Sequence, residues 1–139
     1  MRAVLFGIFC TTLIGCGSNL GSVSGTVTLD GKPFAGSDHL RGTVQFIPDT
    51  GHGTMASGYL DENGKYELSS GSRVGVLPGK YVVTVSAIEI IPPKIPGGAA
   101  GGKAASPARY ANPKTSGFTA DVVRGDNTFD FALSSQPTQ

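Results

Sequence analysis

The feature that most constrains the fold of this chain is a change of side-chain polarity at every second residue. In residues 22–29, Val23, Val27 and Leu29 share one face with Gly25, while serine and threonine occupy the other face. A period of two sustained over such a segment predicts a half-buried β-strand. The Asp30-Gly31 dipeptide that follows is typical of a tight turn.

Six later segments show the same strand-like pattern, bounded by turn residues such as Asn63-Gly64 and Leu77-Pro78-Gly79. They are residues 42–47, 55–60, 65–68, 80–91, 118–123 and 128–133. The last two are expected to form a hairpin across residues 124–127. Since no amphipathic helix of useful length interrupts the pattern, the sequence predicts an all-β fold, a seven-stranded antiparallel sandwich.

The N-terminus is typical of an exported protein. Met1-Arg2 is positively charged, and the twelve residues 3–14 carry no charge. As a helix they would span about 18 Å, too short for a hydrocarbon core of about 30 Å. We therefore expect residues 1–15 to be a cleaved signal peptide. Leu13, Ile14, Gly15 and Cys16 match the recognition sequence of the lipoprotein signal peptidase, with Cys16 as the lipidated residue.

Lipidation also explains the cysteine content. Cys10 would be lost with the signal peptide, which leaves Cys16 as the single thiol and rules out a disulfide. Lipoproteins of this type carry three acyl chains, and two or more chains make anchoring stable. In one sorting rule, an aspartate directly after the lipidated cysteine retains a lipoprotein at the inner membrane. Gly17 and Ser18 occupy these positions here, which favours the outer membrane, facing the periplasm or the surface.

The rest of the chain divides simply. Residues 16–21 are predicted to be a lipidated tether, residues 22–134 the sandwich, and residues 135–139 a polar tail. Residues 92–107 are rich in proline, glycine and alanine and show no periodicity, which predicts an exposed, flexible loop. Eleven Lys and Arg residues oppose ten Asp and Glu residues, so removal of Arg2 leaves no net charge. A neutral chain of this kind argues against nucleic acid as a partner.

Three motifs in register resemble carboxypeptidase regulatory-like domains, also called transthyretin-like. The first is VSGTV at residues 23–27 with DGKP at 30–33 and AG at 35–36; the second is DENGKY at 61–66; the third is LPGKY at 77–81. Residues 109–113, 116–118 and 129–131 further resemble a set of short bacterial lipoproteins built on this domain. The resemblance covers residues 23–133. It implies an Ig-like or prealbumin-like sandwich, and it implies no catalysis, because the family's zinc-binding catalytic domain has no counterpart in this length.

Candidate chemistry in the sequence is sparse, and we predict neither a cofactor nor a catalytic residue. His39 and His52 have no second histidine nearby, so exposed loop positions are expected rather than a metal site. Asp61 and Asn63 fit a turn better than a calcium loop, which would need a closing glutamate. No serine or cysteine has a plausible histidine–acid pair.

The favoured function is therefore a non-enzymatic, membrane-anchored envelope lipoprotein whose sandwich is a binding or structural module. The contact surfaces expected for an envelope protein are the loop at residues 92–107 and the exposed sheet edges. One alternative is a carbohydrate-binding module, for which Tyr59 and Tyr110 are the candidate exposed aromatic residues. A further alternative is an enzyme with an unrecognised site, in which substitution of His39 or His52 would abolish activity.

Overall fold

The computed structural model describes residues 19–136, which form a β-sandwich with one short helix, α1 (Ala108–Ala111). The strands among these residues are, in chain order, β1 (Gly21–Leu29), β2 (Lys32–Pro33), β3 (Leu40–Pro48), β4 (Ala56–Tyr59), β5 (Lys65–Glu67), β6 (Ser69–Ser70), β7 (Arg73–Val74), β8 (Gly79–Ile91), β9 (Gly101–Ala104), β10 (Phe118–Val122), β11 (Gly125–Thr128) and β12 (Phe131–Leu133). The predicted all-β sandwich is confirmed. Cys16 and the residues before it that form the signal peptidase motif, Leu13, Ile14 and Gly15, lie outside the described residues, as do residues 137–139.

The larger of the two sheets has the order β10-β8-β3-β4-β6-β7, and β9 also pairs with β8. Its centre is the antiparallel pair of β3 and β8, in register from Leu40 opposite Glu89 to Pro48 opposite Tyr81. The smaller sheet is built on β1, which pairs with β5 and β2 along one edge and with β11 and β12 along the other.

The end of the chain departs from the predicted hairpin. β10 pairs with β8 in the larger sheet, whereas β11 and β12 run parallel to β1 in the smaller one. The Asn127 side chain holds this crossover, since it accepts the Val123 N–H at 2.9 Å and donates to the carbonyls of Val123 and Ser22 at 2.8 and 3.1 Å. Val123 and Arg124 therefore connect the two sheets, and β1 is joined to the last strands by parallel pairing rather than antiparallel.

The core lies between the sheets and contains the side chains that the alternation predicted to face inward. Val23, Val27, Val44, Phe46 and Leu68 are fully buried. Aromatic rings fill the middle of the core: the Phe118 and Phe131 ring centroids lie 5.0 Å apart, and Tyr110 stacks on Phe118 at 5.2 Å. Burial on this scale stabilises the fold by roughly 25 cal/mol per Å² of apolar surface.

The segment 92–107 is not a loop throughout, as the sequence had predicted. Its residues Gly101–Ala104 form β9, which pairs with β8 from Ile88 to Ile91, and the Ser106 hydroxyl accepts the Ala87 N–H at 2.9 Å. We call residues 88–104 the hairpin arm. The predicted tether is also shorter than expected, because Gly21 already belongs to β1 and exchanges two 2.8 Å backbone hydrogen bonds with Val76.

The hairpin arm and the start of β1 lie at opposite ends of the sandwich. Gly79, where β8 begins, pairs with Val122 beside the start of β1, and Ile91 ends β8 in the arm. The 13 residues of β8 cover about 40 Å at about 3.3 Å per residue. We call the end that carries Leu20 and residues 49–54, 71–78 and 123–126 the N-terminal end.

Candidate functional site

The ladder between β1 and the last two strands is interrupted at Phe129 and Asp130, and this interruption shapes the site. Asp130 Oδ1 accepts a hydrogen bond from the Thr26 N–H at 2.8 Å, in place of the backbone carbonyl that a continuous ladder would supply. The Phe129 carbonyl turns inward, where the hydroxyl of Tyr66 donates to it at 2.7 Å. The break therefore leaves its polar groups bonded, and it presents the Asp130 side chain beside the outer face of β1.

Gly25 is required at this interruption. A Cβ at position 25 would lie 1.8 Å from the Phe129 carbonyl oxygen and 2.9 Å from the Tyr66 hydroxyl. Such a separation from a backbone oxygen is far below van der Waals contact, so any larger residue must push the strands apart. The glycine on the inward face of β1, read from the sequence only as part of the alternation, is thus a packing requirement.

Tyr66 is a buried hydroxyl in a charged neighbourhood. Its burial raises the pKa of the phenol well above the ordinary value, and the negative charge of Asp130 raises this pKa further. Since both effects disfavour the phenolate, the hydroxyl remains a hydrogen-bond donor to Phe129 at physiological pH. It acts as a structural donor and not as an acid or base.

On the outer face of the smaller sheet lies an open depression of about 620 Å³, which we call the β1 groove. Its floor comes from β1, because Val23 and Val27 point into the core and the side chains of Ser24 and Thr26 therefore point outward. The groove is lined by Ser24, Gly25, Thr26, Tyr59, Asp61, Lys65, Tyr66, Glu67, Thr128 and Asp130. Hydroxyls, three carboxylates and one ammonium thus face a single space.

Tyr59 is the exposed aromatic residue at the wall of this groove. It is 70% exposed, and it also borders a second depression of about 350 Å³ together with Ser37, Leu40, Arg41 and Leu60. The ring therefore stands between a groove that carries carboxylates and a depression that carries a guanidinium. The sequence predicted an exposed Tyr59, and the structure confirms it.

Tyr110, the second aromatic candidate, is not exposed. It is buried against Phe118, and its hydroxyl accepts from Arg109 at 2.9 Å and from the Ser134 N–H at 3.0 Å. Burial raises its pKa, but these two donors outweigh burial, so the pKa lies below the ordinary value. The prediction for Tyr110 was wrong because α1 packs the ring into the core against Phe118.

The remaining candidates stay apart. His39 and His52 are both exposed, one beside the start of β3 and the other in the loop after its end. Asp61 Oδ1 accepts the backbone N–H groups of Asn63 and Lys65 at 2.8 and 2.9 Å, which is the turn that the sequence predicted. Within residues 19–136, no three His, Cys, Asp or Glu side chains gather as a metal-binding group.

Lys65, Glu67, Thr128 and Asp130 were not singled out from the sequence. The only sequence feature that could have indicated them is their position, since each lies on the outward side of a strand next to β1 or, for Asp130, at the interruption between β11 and β12. The alternation could place each of them on a solvent face, but only the pairing of β1 with β5 and β11 brings them into one groove.

No family model, curated protein or solved structure matches the chain. The resemblance to carboxypeptidase regulatory-like domains therefore stays a prediction. Within the part of the chain that the structure describes, none of the helices is long and apolar enough to cross a bilayer.

Proposed function

We propose that the mature chain is a non-enzymatic lipoprotein of the cell envelope, held on a membrane by lipid on Cys16, whose sandwich binds a partner through the β1 groove. The signal peptidase motif at Leu13, Ile14, Gly15 and Cys16 supports the anchor. The favoured location is the outer membrane, facing the periplasm or the surface, and the favoured partner is an envelope protein or glycan. No cofactor, metal or nucleic acid has a part in this function.

The observation that carries the proposal is the chemistry of the β1 groove. Several short polar side chains stand on neighbouring strands around an open surface of about 620 Å³. Their backbones are fixed by β-pairing, so little conformational entropy is lost when they bind a ligand. At the same time, every buried polar side-chain atom of the described residues already has a hydrogen-bond partner, so the polar groups left to bind a partner are those on the surface.

Crosslinking in the native envelope tests this function. A photoreactive residue at Tyr59 should give a defined adduct, because this position borders both depressions. The matched control places the same residue at Thr119, an exposed residue of β10 that lines neither of these two depressions. An adduct at Tyr59 alone supports the proposal. Adducts at neither position, together with a deletion strain that shows no envelope phenotype, would count against it.

A carbohydrate ligand is the second candidate, and the exposure of Tyr59 favours it. The apolar C–H face of a sugar ring packs on an exposed aromatic face, while hydroxyls and carboxylates around it bond the sugar hydroxyls. Glu67 and Asp130 line the same groove as Tyr59. A glycan array with the purified domain should show binding that Tyr59→Ala removes and that Met55→Ala, an exposed position elsewhere, preserves. A silent array would exclude this ligand class.

A further inference from the structure

Four exposed aliphatic side chains surround the place where the chain enters the sandwich. Val74 is 69% exposed, Val123 58%, Met55 53% and Leu77 46%. Exposed aliphatic side chains are common singly, but a group of them at one site marks an interaction surface.

The contacts of Leu20 place these side chains at the N-terminal end. Leu20 and Val74 line one depression, and Leu20 and Leu77 line the next. The Val123 carbonyl lies beside Gly21, and Met55 follows Thr54, which lines the second depression. Val74, Leu77 and Val123 are therefore neighbours of the first described residues of the chain, and Met55 is next in sequence to Thr54, which borders the same place.

The length of the tether decides what faces this surface. Cys16 precedes Leu20 by four residues, which span at most about 14 Å when fully extended. A lipid on Cys16 therefore holds the N-terminal end within that distance of the bilayer. The hairpin arm also exposes aliphatic side chains, Ile88, Ile91 and Ile95, but it lies about 40 Å away along β8.

Charge at the N-terminal end is balanced. Arg73, Lys80 and Arg124 carry positive charge there. Asp49, Asp121 and Asp126 carry negative charge. Attraction to anionic headgroups therefore contributes little to membrane binding at this end, and contact of the apolar side chains with the bilayer is the main favourable interaction.

We propose that Met55, Val74, Leu77 and Val123 form a membrane-contact surface that rests on the boundary between headgroups and acyl chains of the bilayer that carries the Cys16 lipid. This inference depends on the proposed lipid anchor and adds an orientation to it. The sandwich stands on its N-terminal end, and the hairpin arm points away from the membrane.

Site-specific fluorescence tests the orientation on the full lipidated chain. The described residues contain no cysteine, and acylation blocks Cys16, so Val74→Cys, Val123→Cys and Ile95→Cys each provide one thiol for a polarity-sensitive dye. In phosphatidylcholine vesicles, an aqueous quencher should act at least about threefold more slowly at positions 74 and 123 than at position 95. Anionic lipid should leave that ratio unchanged. A Cys16→Ser background without vesicles should make the three positions equal.

Two outcomes overturn the inference while leaving the anchor intact. In a protein whose mass shows acylation, fast quenching at positions 74 and 123 would mean that the surface stays in water. Equal protection at position 95 would mean that the sandwich lies on its side. A protein whose mass lacks acyl chains would instead contradict the proposed anchor, and the orientation with it.

Discussion

The first strand and the hairpin arm use the same β-pairing for opposite purposes. β1 is enclosed by four other strands, its inward valines are fully buried, and its glycine fits directly beneath the Phe129 carbonyl. In the arm, β9 pairs with β8 alone among the strands, and all four of its residues are exposed. β1 thus joins the tether to the core, whereas the arm presents backbone and aliphatic side chains to solvent.

This difference shows that a strand's surroundings, and not its pairing, determine its contribution to stability. On its inward face, an enclosed strand loses stability when atoms are added or removed, because the packed neighbours must move. An exposed strand tolerates substitution with little loss of stability, and substitutions there change the binding of partners instead. Four substitutions, taken from the largest expected effect to the smallest, separate the two roles.

Cys16→Ser should have the largest effect, on location and not on folding. Loss of the acyl chains leaves the apolar side chains at the N-terminal end as the remaining membrane contact, and even one acyl chain alone binds only marginally. With residues 1–15 replaced by a signal peptide whose cleavage does not require Cys16, membrane fractionation should show the protein in the soluble fraction, and circular dichroism should show an unchanged β-fold. Ser18→Ala, also in the tether, is the control and should stay membrane-bound. A Cys16→Ser protein still firmly in the membrane fraction would show that another feature holds it.

Gly25→Ala should be the most destabilising of the substitutions in the sandwich. The added Cβ meets the Phe129 carbonyl oxygen at 1.8 Å, so we expect a loss of about 3 kcal/mol or more in the free energy of unfolding. Gly101→Ala in the arm is the matched control, because its Cβ would make an ordinary 3.6 Å contact with Ile91. Urea unfolding measures both. Equal losses would contradict the distinction between the enclosed strand and the arm.

Tyr66→Phe should cost about 1–3 kcal/mol near neutral pH, because the buried Phe129 carbonyl loses its donor. The pKa of Tyr66 is raised in the folded state, so its stabilising effect is complete below the ordinary value of 10.0 and is lost as pH rises above it. The difference in the free energy of unfolding between the wild type and Tyr66→Phe should therefore become smaller above about pH 10.

Urea unfolding at about pH 7 and about pH 11 tests this dependence. Tyr59→Phe, which removes an exposed hydroxyl, is the control and should leave the unfolding free energy unchanged. If the loss of unfolding free energy in Tyr66→Phe is the same at both pH values, the interpretation of Tyr66 as a buried hydrogen-bond donor is contradicted.

Ile95→Ser should have the smallest effect on stability. The side chain is 68% exposed in the arm, so the unfolding free energy should change by less than about 0.5 kcal/mol. Thermal or urea unfolding of the full chain measures it. A loss above about 1 kcal/mol would mean that the arm packs more firmly than its exposure indicates.

Much of the sandwich follows from local pattern. The alternation placed Val23 and Val27 in the core, and Asp30-Gly31 forms the predicted turn with positive φ at both residues, 51° and 79°. These features depend on neighbours in sequence, which is why the sequence reveals them.

The remaining features depend on neighbours in space. β9 consists of glycine, alanine and lysine and is exposed on both faces, so it has no alternation to detect. The polarity of residues 118–133 shows which side chains face inward, but it does not show that the chain changes sheets at Arg124. In the same way, the sequence predicted an exposed Tyr59, but its place in the same groove as Asp130 depends on which strands adjoin β1.

The membrane anchor and the orientation of the sandwich both depend on lipid at Cys16, and intact-mass spectrometry of the protein isolated from its native membrane tests for that lipid directly. We expect a chain that begins at Cys16, lacks residues 1–15 and carries the added mass of three acyl chains. A chain that begins at any other residue, or one with an unmodified Cys16 thiol, would contradict the anchor and the orientation built on it.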